Sequence, residues 1–192
     1  DIEWAKEGIT GELFIVQARP ETVYSHRDLT SLKTYVLEED GKLLLKGEAV
    51  GMKIGQGEVN ILEDSGEIQK FKRGQVLVTD MTDPDWEPIM KMASAIVTNK
   101  GGRTCHAAIV SRELGVPCVI STGKGTEVLK AVKEVTVDCS QGEGRIYEGN
   151  LKYRVDEVEI NKIPRPHTKV MMNFGIPDGA FIQSQIPNDG VG

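Results

Sequence analysis

Ala95-Ile96-Val97-Thr98-Asn99-Lys100-Gly101-Gly102-Arg103-Thr104-Cys105-His106-Ala107-Ala108-Ile109-Val110-Ser111-Arg112-Glu113-Leu114-Gly115 reads as a strand, a glycine turn and a helix in succession. Ala95-Ile96-Val97 is an unbroken apolar run, the pattern of a strand covered on both faces. From Cys105 to Leu114 the spacing is that of an amphipathic helix, with Thr104 as a good N-cap before it and Gly115 at the C′ position that ends it. Two adjacent glycines admit backbone angles closed to other residues and let the chain approach a bulky anion. The turn delivers His106 into the first helical turn, near unsatisfied backbone N–H groups and the positive end of the helix dipole. A phosphoryl group on or near the ring would be stabilised there. By this local pattern alone, a phosphorylatable imidazole and a capped surface helix that happens to carry a histidine are equally good readings.

The same texture extends on both sides of this unit. After Gly74 short apolar runs, Val76-Leu77-Val78, Ala95-Ile96-Val97, Cys118-Val119-Ile120 and Val135-Thr136-Val137, alternate with helical stretches predicted at Asp85–Met92, Cys105–Leu114 and Thr126–Lys130. That alternation predicts an α/β fold whose sheet is covered on both faces, with His106 at the carboxyl end of a strand, where open α/β sheets place ligand sites. Upstream, Tyr35-Val36-Leu37, Leu43-Leu44-Leu45 and Val59-Asn60-Ile61-Leu62 read as strands between glycine-bearing turns, and Leu13 to Ala18 as a strand closed by Pro20. Glu21 to Thr30 is polar and aperiodic, as a linker would be. Asp156 to Thr168 is charged and holds Ile163-Pro164-Arg165-Pro166, an extended, stiff spacer. A further strand is predicted from Lys169 to Phe174. The stub it opens is too short to bury its own core and reads as the start of another domain.

The chain has 192 residues, net charge −6 and a pI near 5.2, which argues against nucleic acid or an anionic membrane as its main partner. Its longest apolar runs fall far short of the roughly 20 residues that span a bilayer, and the first residues lack the features of a signal peptide. A cytoplasmic, soluble protein is expected. Cys105, Cys118 and Cys139 form neither a disulfide framework nor a zinc pattern; Cys118 and Cys139 read as buried hydrophobes, and Cys105, at a helix start, ranks below His106 as a nucleophile. Gly123-Lys124-Gly125-Thr126 lacks the spacing of a phosphate loop and reads as a turn. His26 and His167 fall in the linkers, and Trp86 has the spacing of a packing residue.

Gly101 to Pro117 resembles the phosphohistidine signature of the phosphoenolpyruvate-utilising enzymes. Asp1-Ile2-Glu3-Trp4, Leu13 to Thr22, Thr82-Asp83-Pro84-Asp85-Trp86-Glu87-Pro88 and Pro187 to Gly192 are similar to the branch of that family that carries an ATP-grasp nucleotide domain. The resemblance implies the tail of such a domain at residues 1–21, a linker at 22–31, a swivelling β/β/α phosphohistidine domain at 32–155, a second linker at 156–168, and the first strand of a TIM-type barrel binding phosphoenolpyruvate and pyruvate at 169–192. It implies that His106 takes a phosphoryl group from ATP and passes it to pyruvate, giving phosphoenolpyruvate, AMP and phosphate. Thr104 would hold the ring or receive a regulatory phosphate from a kinase, and Arg103 would grip phosphate oxygens. Glu3, Gln17 and Arg19 would belong to the nucleotide site, with Glu3 on Mg2+. The partners implied are the other domains of the same enzyme, ATP and pyruvate or phosphoenolpyruvate. A stand-alone phosphocarrier or interaction module of a related system is the alternative.

Overall fold

The computed structural model describes residues 2–18, 31–159, 166–173 and 188–191. Its centre is a closed barrel with strand order β10-β4-β8-β7-β6-β5-β9. The strands are β4 (Leu43–Val50), β5 (Ile54–Ile61), β6 (Val76–Thr79), β7 (Ala95–Thr98), β8 (Cys118–Ile120), β9 (Glu134–Asp138) and β10 (Glu143–Glu148). β5, β6, β7 and β8 run parallel to one another, and the remaining pairings are antiparallel. The helices α1 (Glu87–Met90), α2 (His106–Leu114) and α3 (Gly125–Val128) lie in the connections, with 3-10 turns at Ser65–Lys70, Pro84–Trp86 and Leu129–Ala131.

The expected mixed α/β fold is present, and the expected sheet covered by helices on both faces is replaced by a barrel. Strand residues are buried on both sides for two different reasons. Val76, Val78, Ala95, Val97, Val119, Val135 and Val137 form one core with Leu129 and Ile146. The alternating neighbours Leu77, Ile96, Cys118 and Ile120 form a second core with Trp86, Ile89, Met90, Ala107, Ala108 and Val110 from the helices. Strand side chains alternate faces, so in β6, β7 and β8 one face fills the barrel and the other seats α1 and α2. An apolar run looks the same from the sequence whether helices or the opposite barrel wall cover it. Closure also needs space: a Cβ at Gly144, which pairs with Gly47 across β10 and β4, would lie 2.7 Å from the Val119 methyl groups.

The other described strands form separate two-stranded sheets. β1 (Ile2–Lys6) pairs with β2 (Leu13–Ala18) as an antiparallel hairpin whose Ile2, Trp4, Leu13, Phe14, Ile15 and Val16 side chains are exposed. β3 (Ser31–Leu37) pairs along its whole length with β11 (Tyr153–Glu159). The segment expected to be a spacer from Asp156 onward thus begins inside a strand, because its first residues find a ladder partner in the chain entering the barrel. The predicted strand at 169–174 is seen as β12 (Met171–Met172), parallel to β13 (Gly190–Val191). The linker at 22–30, including His26, and residues 160–165 lie outside the described residues.

The predicted helix at Asp85–Met92 is shorter, a 3-10 turn capped by the Asp83 carboxylate and then α1; Trp86 is 4% exposed, as a packing residue should be. At Thr126–Lys130 the helix is α3 followed by a 3-10 turn. Strands β1, β10, β11 and β13 fall outside the expected set: Glu143 to Glu148 has only Ile146 as an aliphatic anchor, and its place is set by strand pairing.

Candidate functional site

The carboxyl ends of β6, β7 and β8 lie side by side, so the loops that leave these parallel strands meet on one rim. Main-chain bonds continue past the strand ends: Asn99 N donates to Thr79 O (3.1 Å), Lys100 N to Asp80 O (2.9 Å) and Gly123 N to Asn99 O (2.9 Å). The Asn99 side chain ties the same loops together, donating to Thr126 Oγ1 (2.8 Å) and Asp80 Oδ1 (3.2 Å) and accepting from Thr126 N (3.0 Å). Lys100 Nζ, 2.8 Å from Asp80 Oδ2, together with Asn99 holds the Asp80 carboxyl below its ordinary range.

The turn presenting His106 has its carbonyls taken up one by one. Lys100 O accepts from Thr98 Oγ1 (2.7 Å), Gly101 O from the Ser121 hydroxyl, Gly102 O from Cys105 N (2.9 Å) and Arg103 O from Arg112 Nη1 (2.8 Å). In a trans peptide the N–H points opposite the C=O. The amides of residues 101–104 are therefore turned away from the groups that hold the carbonyls. Gly101 has φ 134°, and a Cβ there would lie 2.8 Å from Cys105 Sγ, so this position requires glycine. Gly102 does not have positive φ and has open space where a Cβ would stand; only one of the two expected glycine roles is realised.

His106 is the first residue of α2, and its Nδ1 lies 3.0 Å from Thr82 Oγ1. Thr82 is 7% exposed, and the His106 Nε2 atom is itself buried in this conformation. Thr82 follows β6 and His106 follows β7, so neighbouring parallel strands bring together residues 24 apart in sequence. In the sequence Thr82 belongs only to the flanking stretch Thr82–Pro88; its link to His106 depends on the adjacency of β6 and β7.

The other expected site residues divide. Thr104 is not the N-cap: Cys105 is, with φ −72° and ψ 163° and no side-chain capping bond. The Cys105 N to Gly102 O bond closes a tight turn that carries Thr104 one residue ahead of the cap, where it is exposed. Arg103 is exposed and pairs with Glu48 of β4 at 3.6 Å, a contact of small energetic weight. Gly115 ends α2 in the left-handed region at φ 66°, as expected. Glu3 and Gln17 face each other in the register of the β1–β2 hairpin, although their side chains, and all of Arg19, lie outside the described residues. Among the described residues no group of three or more His, Cys, Asp and Glu is arranged to hold a metal ion. No described helix is long and apolar enough to cross a membrane. Cys118 and Cys139 are buried as expected; burial pushes both thiols up, Cys139 to about 12.

Residues 71–142, which include the rim turn and His106, match the family described as PEP-utilising enzyme, mobile domain. Along its whole length the chain is 54% identical to the phosphoenolpyruvate synthase of Aquifex aeolicus, covering 23% of that protein, and 52% identical to the phosphoenolpyruvate synthase of Synechocystis sp., covering 24%. It is 53% identical to the phosphoenolpyruvate synthase of Escherichia coli, again covering 24% of it. The chain thus spans about a quarter of the length of the curated relatives it matches. A solution structure of an Enzyme I protein, 28% identical, aligns with 41% of this chain and 33% of its own at a TM-score of 0.35, too loosely to bear on the fold.

Proposed function

We propose that this chain is the phosphoryl-carrying part of a larger cytoplasmic phosphoenolpyruvate synthase, with His106 as the carrier. The observation that supports this most directly is the His106–Thr82 pair, set on the rim of a domain whose relatives are phosphoenolpyruvate synthases. A neutral imidazole donating Nδ1–H to Thr82 Oγ1 keeps its lone pair on Nε2. Nε2 attacks the β-phosphorus of ATP, AMP departs, and the γ-phosphoryl group leaves as phosphate after water adds to it. Pyruvate loses a methyl proton to a base outside this chain, and its enolate oxygen takes the phosphoryl group as the P–N bond breaks, giving phosphoenolpyruvate and restoring the imidazole. The amides of residues 101–104 and the Arg103 guanidinium are the donors for the phosphoryl oxygens. Because Nε2 is covered in this conformation, the ring turns outward to accept and to release the group.

In this reading residues 1–21 are the tail of an ATP-grasp domain. The exposed apolar side chains of the β1–β2 hairpin support that assignment, since a two-stranded hairpin needs further packing to be stable. Glu3, Gln17 and Arg19 then contribute to a nucleotide site completed by residues outside this chain. Glu3 would supply one carboxylate to Mg2+, an ion commonly held by one or two carboxylates and substrate phosphates. Magnesium, when bound, neutralises the triphosphate. Residues 169–192 begin a barrel domain for pyruvate. One imidazole cannot stay within about 3–3.5 Å of reacting atoms in two separate sites, so the β/β/α domain at 32–155 travels between them, joined by the linkers at 22–31 and 156–168. The exposed Thr104 hydroxyl is the acceptor for a regulatory kinase.

The test mixes this chain with a separately produced nucleotide domain and ATP labelled at the β-phosphate. Label is expected on the parent chain in an acid-labile, base-stable form and absent from His106→Ala. Equal labelling of His106→Ala overturns the assignment. Discharge of the labelled chain to pyruvate in the presence of the barrel domain separates this reading from that of a carrier serving another acceptor.

A further inference from the structure

Ser121, the first residue after β8, has φ 58° and is the only described non-glycine residue with positive φ. That region is strained for a residue with a Cβ, and such strain persists only where the surroundings enforce it. Here they do. On one side Ser121 follows the buried Ile120, and on the other Thr122 donates to Thr98 O through both its N (3.1 Å) and its Oγ1 (2.9 Å). In this pose the Ser121 hydroxyl donates to Gly101 O, the carbonyl at the start of the turn that presents His106. Gly101 is itself seated between two elements, since a Cβ there would lie 2.8 Å from Cys105 Sγ and 3.8 Å from Ile120 Cβ. A glycine at position 121 would adopt this backbone without strain, but it would leave the Gly101 carbonyl without the hydroxyl.

We propose that Ser121 is a positioning residue for phosphoryl transfer: its hydroxyl fixes the Gly101–Gly102 peptide plane and so presets the Gly102 amide for the phosphoryl group on His106. The proposal rests on the reading of His106 as the phosphoryl carrier. Two substitutions separate the hydroxyl from the backbone. Ser121→Ala keeps the strained backbone and loses the bond; Ser121→Gly relieves the strain and also loses the bond.

Thermal midpoint and amide hydrogen exchange are measured on this chain, and the rate of His106 phosphorylation in the full-length protein. Ser121→Ala is expected to lower the midpoint, to speed exchange of the Gly102 amide about tenfold and to slow phosphorylation about tenfold. Ser121→Gly is expected to recover the midpoint while exchange and phosphorylation stay as in Ser121→Ala. If Ser121→Gly restores all three, or if Ser121→Ala changes none, the hydroxyl has no positioning role and the proposal is overturned. Absence of phosphorylation in the parent protein overturns the carrier reading instead, and the exchange measurements still decide whether Ser121 holds the turn.

Discussion

Replacing Thr82 by Val tests the pair at the centre of the site. The side chain is 7% exposed and its Oγ1 lies 3.0 Å from His106 Nδ1, so Val keeps the branched shape and leaves the ring nitrogen without this partner in a partly buried place. A net hydrogen bond of about 1 kcal/mol is lost, and desolvating the abandoned nitrogen adds up to about 1 kcal/mol, giving ~1–2 kcal/mol of destabilisation. In a domain of this size that lowers the melting temperature by about 3–8 °C. In the tautomer proposed above, with Nδ1–H donating to Thr82 Oγ1, the same energy favours the proton on Nδ1. Removing about 1.4 kcal/mol of that bias changes the ratio of the two tautomers about tenfold, so phosphorylation of His106 should slow, by at most about that factor. Thr82→Ser, which retains the hydroxyl, should recover most of the rate. The assay pairs thermal melting with ring 15N shifts of His106 and single-turnover labelling. Unchanged ring shifts and an unchanged rate in folded Thr82→Val would refute the idea that this hydroxyl sets the tautomer.

Other substitutions probe the turn. Gly101→Ala, forced to φ 134° and against Cys105 Sγ, should cost about 1–3 kcal/mol in chemical denaturation, whereas Gly102→Ala, with open space at its Cβ, should stay within about 0.5 kcal/mol of the parent. Thr104→Val should also change stability by less than about 0.5 kcal/mol, because Thr104 is not the cap of α2; a loss near the full value of a capping bond would contradict the assignment of Cys105. Alkylation of the native chain near pH 8, read by mass spectrometry, should modify Cys105 and spare Cys118 and Cys139, whose thiols burial keeps protonated, while the denatured chain takes up three equivalents. Asp80 has a folded pKa below its unfolded one, so its contribution is present above the unfolded value near 3.8 and is lost as pH falls through the folded value. The melting difference between parent and Asp80→Asn should accordingly be full at neutral pH and shrink in acid.

The sequence by itself determined the local units. The apolar runs at Val76, Ala95, Cys118 and Val135 are strands, the stretch from His106 to Leu114 is a helix ended by Gly115, and the histidine stands at that helix's start, because short-range periodicity and end residues carry this information. Only the tertiary structure decided which faces of the strands meet, and so turned an expected sheet under two helical layers into a barrel with one core inside and one beneath α1 and α2. Strand pairing likewise created β10 and β11 from stretches with little pattern of their own. The cap moved from Thr104 to Cys105 because the closing bond of the preceding turn, to Gly102 O, sets where helical angles begin. Thr82 and Ser121 reach the His106 loop from strands on either side of β7. Their roles are written in strand order, a long-range property that one-dimensional spacing does not encode.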